Sequence, residues 1–342
     1  ITDNHKMSNE HRIRFMAASK VVNLLASLIV ARLGLTFFSK QDLQPFQNFV
    51  IVIAILVCVL FIMAQWMMKE PGLVSKNDDV TGKPTKRKLR FKQVVLDFLA
   101  HDNFRAWIGM EMLLECQHNF VSSFLKTFVD RLVVDAGVSR QACDWLLSLL
   151  HPMKHIAGIM IYVPIRRMGY RRIYTYMFWA NLILSAACLA IASPQTPYLI
   201  IAFLLIHTIM TGAVQSAGFH LAMSDMVLEM KRNHAVEGRL DEPSLAGLFM
   251  GANALLCKPM ESVLPIVAAY FLGSTDFSTN EQSETAKTVL FYLLVVPPLV
   301  FSCLQLMSWR KYNLHTQRMD SMREELEELT AMDSREAADL VA

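Results

Sequence analysis

The chain has 342 residues, 54% of them hydrophobic and only 18% charged, with a mean hydropathy of +0.33. That balance excludes an ordinary soluble domain and indicates a membrane protein. A net charge of +3 is too small to argue for nucleic acid as a partner, and the sequence holds no zinc-type Cys/His spacing, P-loop, GxSxG or HExxH run.

A membrane span needs roughly 20 mostly apolar residues. In chain order the candidates are 15–38, 46–68, 104–130, 142–165, 171–193, 197–225, 245–272 and 287–308. The first, third and fourth are weaker because polar residues interrupt them. With the loop before 15 placed in the cytoplasm, alternation puts eighteen Lys and Arg residues in the inside segments before the tail and only Lys40, Arg131, Arg140 and Lys287 outside. This satisfies the positive-inside rule, supports the three weak spans and places both termini in the cytoplasm. The segment 69–103 is polar, basic and turn-rich. It reads as a solvated connector, with anionic lipid a further partner for Lys86, Arg87, Lys88, Arg90 and Lys92. Cys58, Cys116, Cys143, Cys188, Cys257 and Cys303 form no CxxC and read as free, buried thiols. The tail at 310–342 carries Met319, Met322, Leu326 and Leu329 at heptad-like spacing over fewer than two heptads. A solvated or surface-lying helix is expected there.

The informative residues are polar ones at mid-span. Glu111, Glu115, His118 and Ser122 form one helical stripe in 104–130. His151, Lys154 and His155 lie near the middle of 142–165, and His207, Thr211 and Gln215 form a stripe in 197–225. Lys258 stands midway along 245–272, beside Pro259, three residues before Glu261 and a turn and a half after Asn253. Lys20 lies in the inner third of 15–38. Charges at such depth are costly, so four helices carrying polar groups at one level are expected to face one another or a shared wet cavity. Secondary carriers build their solute sites this way. The plain alternative is local pairing, Lys258 with Glu261 and Glu115 with His118. A metal site from Glu115, His118, His151 and His155 is the third reading. Pro152, Pro259, Pro265, Pro297 and Pro298 lie inside spans and invite kinks.

Several stretches resemble the cation-coupled sugar symporters of the major facilitator superfamily, the glycoside–pentoside–hexuronide branch that includes melibiose permease. They are NEHRIRFMAASK, FQNFVIVIAILVCVLFIMAQ, IGMEMLLECQHNF, VPIRRMGYRRIY, AMSDMVLEMK followed by ANALLCKPM, and VVPPLVFSCLQLMSWRKYN. The resemblance implies an all-α polytopic bundle of about eight transmembrane helices, family helices five to twelve, with the first four absent. Residues 1–68 would be the end of the first bundle, 69–103 the cytoplasmic central loop, 104–309 the second six-helix bundle and 310–342 a cytoplasmic tail. It also implies that Lys258 belongs to a charge network near the solute and cation, that Lys20 stands where the family keeps a sugar-contacting arginine, and that Asn119 and Asn253 occupy polar positions. Asp225 matches the first acid of a D-x-x-D-Y-G-E motif whose second acid is replaced by Leu228 and whose Tyr-Gly-Glu is missing.

The expected function is a fragment of a secondary active transporter working by alternating access, not an enzyme. Substrate-facing residues are Lys258, Lys20, Asn253, Asn119, Glu115 and His118. Asp225 with Arg166, Arg167, Arg171 and Arg172 forms the cytoplasmic gate. No cofactor or metal is expected beyond a coupling cation, H+ or Na+. The partners are the lipid bilayer, a small polar solute and the missing N-terminal helices, and the plasma membrane is the expected location. The alternative is a non-transporting scaffold or receptor on the same fold.

Overall fold

The computed structural model describes residues 18–26, 28–29, 44–67, 99–236, 245–275 and 284–339, and among them every regular element is a helix. The connector residues Lys86, Arg87, Lys88, Arg90 and Lys92, most of span 15–38 and the His151 side chain lie outside the described residues. Two compact units form, residues 23–93 and residues 1–22 with 94–342. The first contains α1, Gln44–Met67. Over Gln44–Met63 none of its side chains is buried within this unit, as suits a lipid-facing span.

The second unit carries α2 (Asp102–Val129), a π turn (Asp130–Val134), α3 (Arg140–Met160), α4 (Tyr162–Met168), α5 (Tyr170–Ile191), α6 (Pro197–Val236), α7 (Leu245–Met260), α8 (Val263–Gly273), α9 (Glu284–Trp309) and α10 (Thr316–Asp339). Ser139 caps α3, its hydroxyl oxygen accepting from the Ala142 N–H. Six helical segments among the described residues are long and apolar enough to cross a bilayer: Gln44–Met63, Arg140–Met168, Tyr170–Ile191, Pro197–Gln215, Phe249–Gly273 and Glu284–Trp309. The expected span 104–130 is the 28-residue helix α2, long enough at about 42 Å but loaded with charge.

Prolines break the spans at particular points. A proline has no N–H to give the carbonyl four residues back. The chain therefore turns at Ile161, three residues before Pro164, and at Glu261–Ser262, just before Pro265. Pro164 was not among the prolines expected to kink a span. By contrast α9 runs through Pro297 and Pro298 unbroken. Gly169, with φ +80°, joins α4 to α5 in a conformation that an L side chain would strain.

In the second unit, α9 packs on α2 and α5, α3 packs on α6, and α6 also meets α2 and α5. The side chains form two separate apolar cores. One gathers Trp107, Met110, Leu114, Tyr174, Phe178, Val214, Phe249 and Trp309. The other gathers Phe120, Phe128, Cys188, Ile200, Phe203, Leu264, Leu290 and Leu294. Each of α2, α5, α6 and α9 passes from one core to the other.

The tail departs from expectation. Met319, Met322 and Leu326 are buried in the first core, and α10 packs along the part of α6 that extends beyond Gln215. At 40 residues, α6 is about 60 Å long, roughly twice a bilayer's hydrocarbon thickness, so its second half offers a docking face outside the membrane. The expectation of buried cysteines holds for Cys116, Cys143, Cys188 and Cys257, while Cys58 and Cys303 are exposed.

Candidate functional site

Where α2, α5, α6 and α9 change cores, their buried residues are polar: Gln117, Asn181 and Ser185, His207, Thr208 and Thr211, Ser302 and Gln305. This is a polar belt between two apolar cores. Four of its members make a continuous hydrogen-bonded chain across four helices. Gln117 Nε2 lies 3.2 Å from His207 Nε2, His207 Nδ1 lies 2.7 Å from Asn181 Oδ1, and Asn181 Nδ2 lies 2.7 Å from Ser302 Oγ. The amide nitrogens can only donate, which fixes the roles. Gln117 donates to His207 Nε2, so His207 carries its proton on Nδ1 and donates it to Asn181 Oδ1, while Asn181 donates to Ser302. Phe203 stacks on the imidazole, ring centroids 5.3 Å apart. Among the described residues Gln117 Oε1, Ser185 Oγ, Thr208 Oγ1 and Gln305 Nε2 remain buried without a partner.

Two residues before Gln117 on α2, and so on a different face of the helix, Glu115 accepts from two amides. Asn119 Nδ2 reaches Oε2 at 3.0 Å and Gln215 Nε2 of α6 reaches Oε1 at 3.0 Å. Glu111, a turn earlier, is 1% exposed, and its Oε2 meets no donor among the described residues. Lys154 of α3 is an electrostatic neighbour of His118. Its Cβ lies 2.7 Å from where a side chain at Gly212 would begin, so α3 and α6 approach as closely as a glycine permits.

Lys258 sits at the break in the span Phe249–Gly273, whose midpoint is Glu261. Its Nζ is 2.5 Å from Glu261 Oε1, and Glu115 is a further electrostatic neighbour. The Lys258 side chain is 69% exposed in this unit. Asn253, a turn and a half before Lys258, accepts from Cys257 Sγ at 3.1 Å.

At the other end of the bundle the expected gate takes a form of its own. Tyr170 Oη donates to Asp225 Oδ2 at 2.9 Å, and Tyr312 Oη, 2.7 Å away, therefore donates to Tyr170. Tyr312 stacks on Trp309, whose indole N–H donates to the Arg171 carbonyl. Burial and the Asp225 carboxylate hold the Tyr312 phenol well above its ordinary pKa. Arg171 is half-buried, and Arg166, Arg167 and Arg172 are exposed. One turn after Asp225, buried Glu229 collects Asn103 Nδ2 at 3.0 and 2.9 Å, His101 Nε2 at 3.3 Å and Arg318 of α10 at 3.5 Å. Asn103 Oδ1 in turn accepts the Asn313 N–H at 2.8 Å.

The structure thus joins Glu115, Asn119 and Gln215, places Lys258 within electrostatic reach of Glu115, and sets His118 beside Lys154. It does not join Lys20 to them. Lys20 is half-buried in the helical stretch 18–26 and makes no hydrogen bond or ion pair among the described residues. Ser122, in line with Glu115 on the sequence, is exposed. No group of three or more His, Cys, Asp and Glu placed to hold a metal occurs among the described residues. Gln117, Asn181, Ser302, Gln305 and Glu229 were not singled out from the sequence. The available signal was a lone amide or a polar i, i+3 pair in an otherwise apolar span. For Glu229 it was an acid four residues after Asp225, one step past the vacated Leu228 position.

A multi-span helical bundle of this kind, cut by a buried polar belt, is the architecture of membrane transporter-like proteins. The chain belongs to the family described as MFS/sugar transport protein, which matches residues 5–316. It is similar to transmembrane protein 180 of Gallus gallus, 24% identical over 319 residues, covering 84% of this chain and 61% of that protein. It is likewise similar to transmembrane protein 180 of Mus musculus, 23% identical over 335 residues, covering 86% of this chain and 63% of that one. The chain therefore spans less than two thirds of the length of these relatives.

Proposed function

We propose that the full-length protein carries a small polar solute, with a sugar as the leading class, across a membrane by alternating access, coupled to H+ or Na+. The observation that carries this reading is the polar belt. Each buried polar group left without a partner costs about 1–3 kcal/mol, so Thr208, Ser185, Gln305 and the free oxygen of Gln117 suit a layer that exchanges water and solute hydroxyls. A hydroxyl-rich solute both donates and accepts, matching amides, hydroxyls and the neutral His207. The broken span at Lys258 supports the reading, because discontinuous helices at mid-depth are how carriers expose polar groups to cargo. In this account Lys258, Asn253, Asn119, His118 and Glu115 line the solute path and Lys20 contributes from span 15–38. Glu111 and Glu115 are the acids that meet the coupling cation, and Asp225 with the Arg166–Arg172 segment closes the cytoplasmic end.

The test is uptake by the full-length protein in proteoliposomes, across a panel of labelled sugars and small metabolites, with and without an inward H+ or Na+ gradient. Uptake is expected, and both Lys258→Ala and Glu115→Gln should lower it at least about tenfold, the scale of one lost charged contact. One observation favours the second reading, a non-transporting scaffold: Glu261 already neutralises Lys258. Folded protein that moves no solute would establish that reading, and unchanged uptake by Lys258→Ala would remove the lysine from the solute site.

A further inference from the structure

A groove of about 840 Å³ runs along the outer face of the bundle between α5 and α9. That is the volume of a small-molecule site, yet it shares no residue with the polar belt. Its mouth carries Arg171, Arg172 and Arg310, all at the same end of the two spans: the first two open Tyr170–Ile191, and the third follows Trp309 directly. Among the described residues none of the three makes an ion pair. Thr175 and Trp309 line the mouth too; the Thr175 hydroxyl donates to the Arg171 carbonyl of its own helix at 2.9 Å, and the Trp309 indole N–H donates to the same carbonyl at 3.1 Å, tying α9 to α5 there.

Away from the mouth the groove becomes apolar. Trp179 lies eight residues from Arg171 and Leu182 eleven, roughly 12 and 16 Å deeper along the helix, while Cys303 is about 10 Å from Arg310. One leaflet's hydrocarbon is about 15 Å thick. The groove therefore begins at headgroup level and ends near mid-bilayer, with Trp179 and Met307 half or more exposed along it. Three arginines without an ion pair among the described residues, above an apolar furrow of one-leaflet depth, complement one kind of molecule, an anion attached to acyl chains.

We propose that this groove binds an anionic phospholipid of the leaflet at the arginine-bearing end. Arg171, Arg172 and Arg310 hold its phosphate, and its acyl chains lie along Trp179, Leu182 and Cys303. A free anion would leave the apolar furrow unused, and a neutral lipid would leave the arginines without a counter-charge.

The experiment places the full-length protein in nanodiscs of equimolar phosphatidylglycerol and phosphatidylcholine. Lipids retained after detergent washing are then counted by native mass spectrometry. Retained phosphatidylglycerol should exceed phosphatidylcholine, by on the order of fivefold per arginine at low salt, falling as salt rises. The R171Q/R172Q/R310Q variant should lose the preference, and the corresponding lysine variant should keep most of it. A second arm needs no substitution: chain-brominated phosphatidylglycerol should quench tryptophan fluorescence more than chain-brominated phosphatidylcholine at equal mole fraction. Equal retention of the two lipids, equal quenching, or a preference that survives the glutamine variant would overturn the proposal. Displacement of the lipid by inorganic phosphate would also overturn it, by showing a site for a free anion. None of these outcomes depends on transport.

Discussion

Asn181→Ala probes the belt at its most connected point. Asn181 is 4% exposed and bridges His207 and Ser302 through two 2.7 Å hydrogen bonds. Loss of its amide removes both, each worth about 0.6–1.5 kcal/mol net inside a membrane bundle. It also leaves the His207 Nδ1–H buried against Phe203 without an acceptor, a further 1–3 kcal/mol or so. The sum is roughly 2–6 kcal/mol. His207→Leu by itself removes the Gln117 and Asn181 bonds but fills the space. Once His207 is gone, Asn181→Ala no longer orphans an imidazole. The two changes should then be non-additive, with a coupling of about 1–2 kcal/mol. The assay is reversible unfolding in mixed micelles for wild type, both single variants and the double variant. Additive losses, or an Asn181→Ala cost below about 0.5 kcal/mol, would refute the claim that the four helices share one hydrogen-bonded chain.

Other expectations follow from particular contacts. Gly212→Ala should destabilise by about 1–3 kcal/mol, because its Cβ would sit 2.7 Å from the Lys154 Cβ; a neutral melting temperature would contradict the close α3–α6 approach. Glu229→Ala should free α10 from α6, since Asn103, His101 and Arg318 lose their common acceptor, and limited proteolysis should then cleave near Asn313 at least several-fold faster. The Tyr312 phenol is held neutral in the folded chain, whereas an unfolded tyrosine releases its proton near pH 10. Its contribution to stability is thus present below about pH 10 and lost as pH climbs from there toward the raised folded value. Tyr312→Phe should flatten the decline of melting temperature over that alkaline range, and an unchanged slope would remove Tyr312 as its source.

Much of the bundle was legible because a bilayer imposes simple rules. Runs such as 171–193 and 287–308 are apolar for a physical reason, and α5 and α9 fall on them within a few residues. The mid-depth stripe of Glu115 and His118 was readable because polar residues in hydrocarbon need a cause. The belt's actual members were harder to find. Asn181 and Ser302 each look like isolated tolerances in their own spans, and only packing shows that they bond to each other. Helix breaks were legible only where a proline stood out. Pro297 and Pro298 do not interrupt α9, while Pro164, at the end of an expected span, does mark a turn. The tail misled because seven-residue spacing over a short stretch does not say what covers it. The partner surface is the overlong α6, whose second half cannot lie in the same bilayer as its first.

The most direct measurement is aqueous accessibility of the belt. Single cysteines at Thr208 and Gln305 would be introduced into full-length protein with its native cysteines replaced, then exposed to a membrane-impermeant thiol reagent from each side. Both positions should react, and the solute should slow the reaction. Leu294→Cys, set in the dry core, should not react. If Thr208→Cys and Gln305→Cys were as inert as Leu294→Cys from both sides, the belt would be sealed structural packing, and the carrier account would be contradicted.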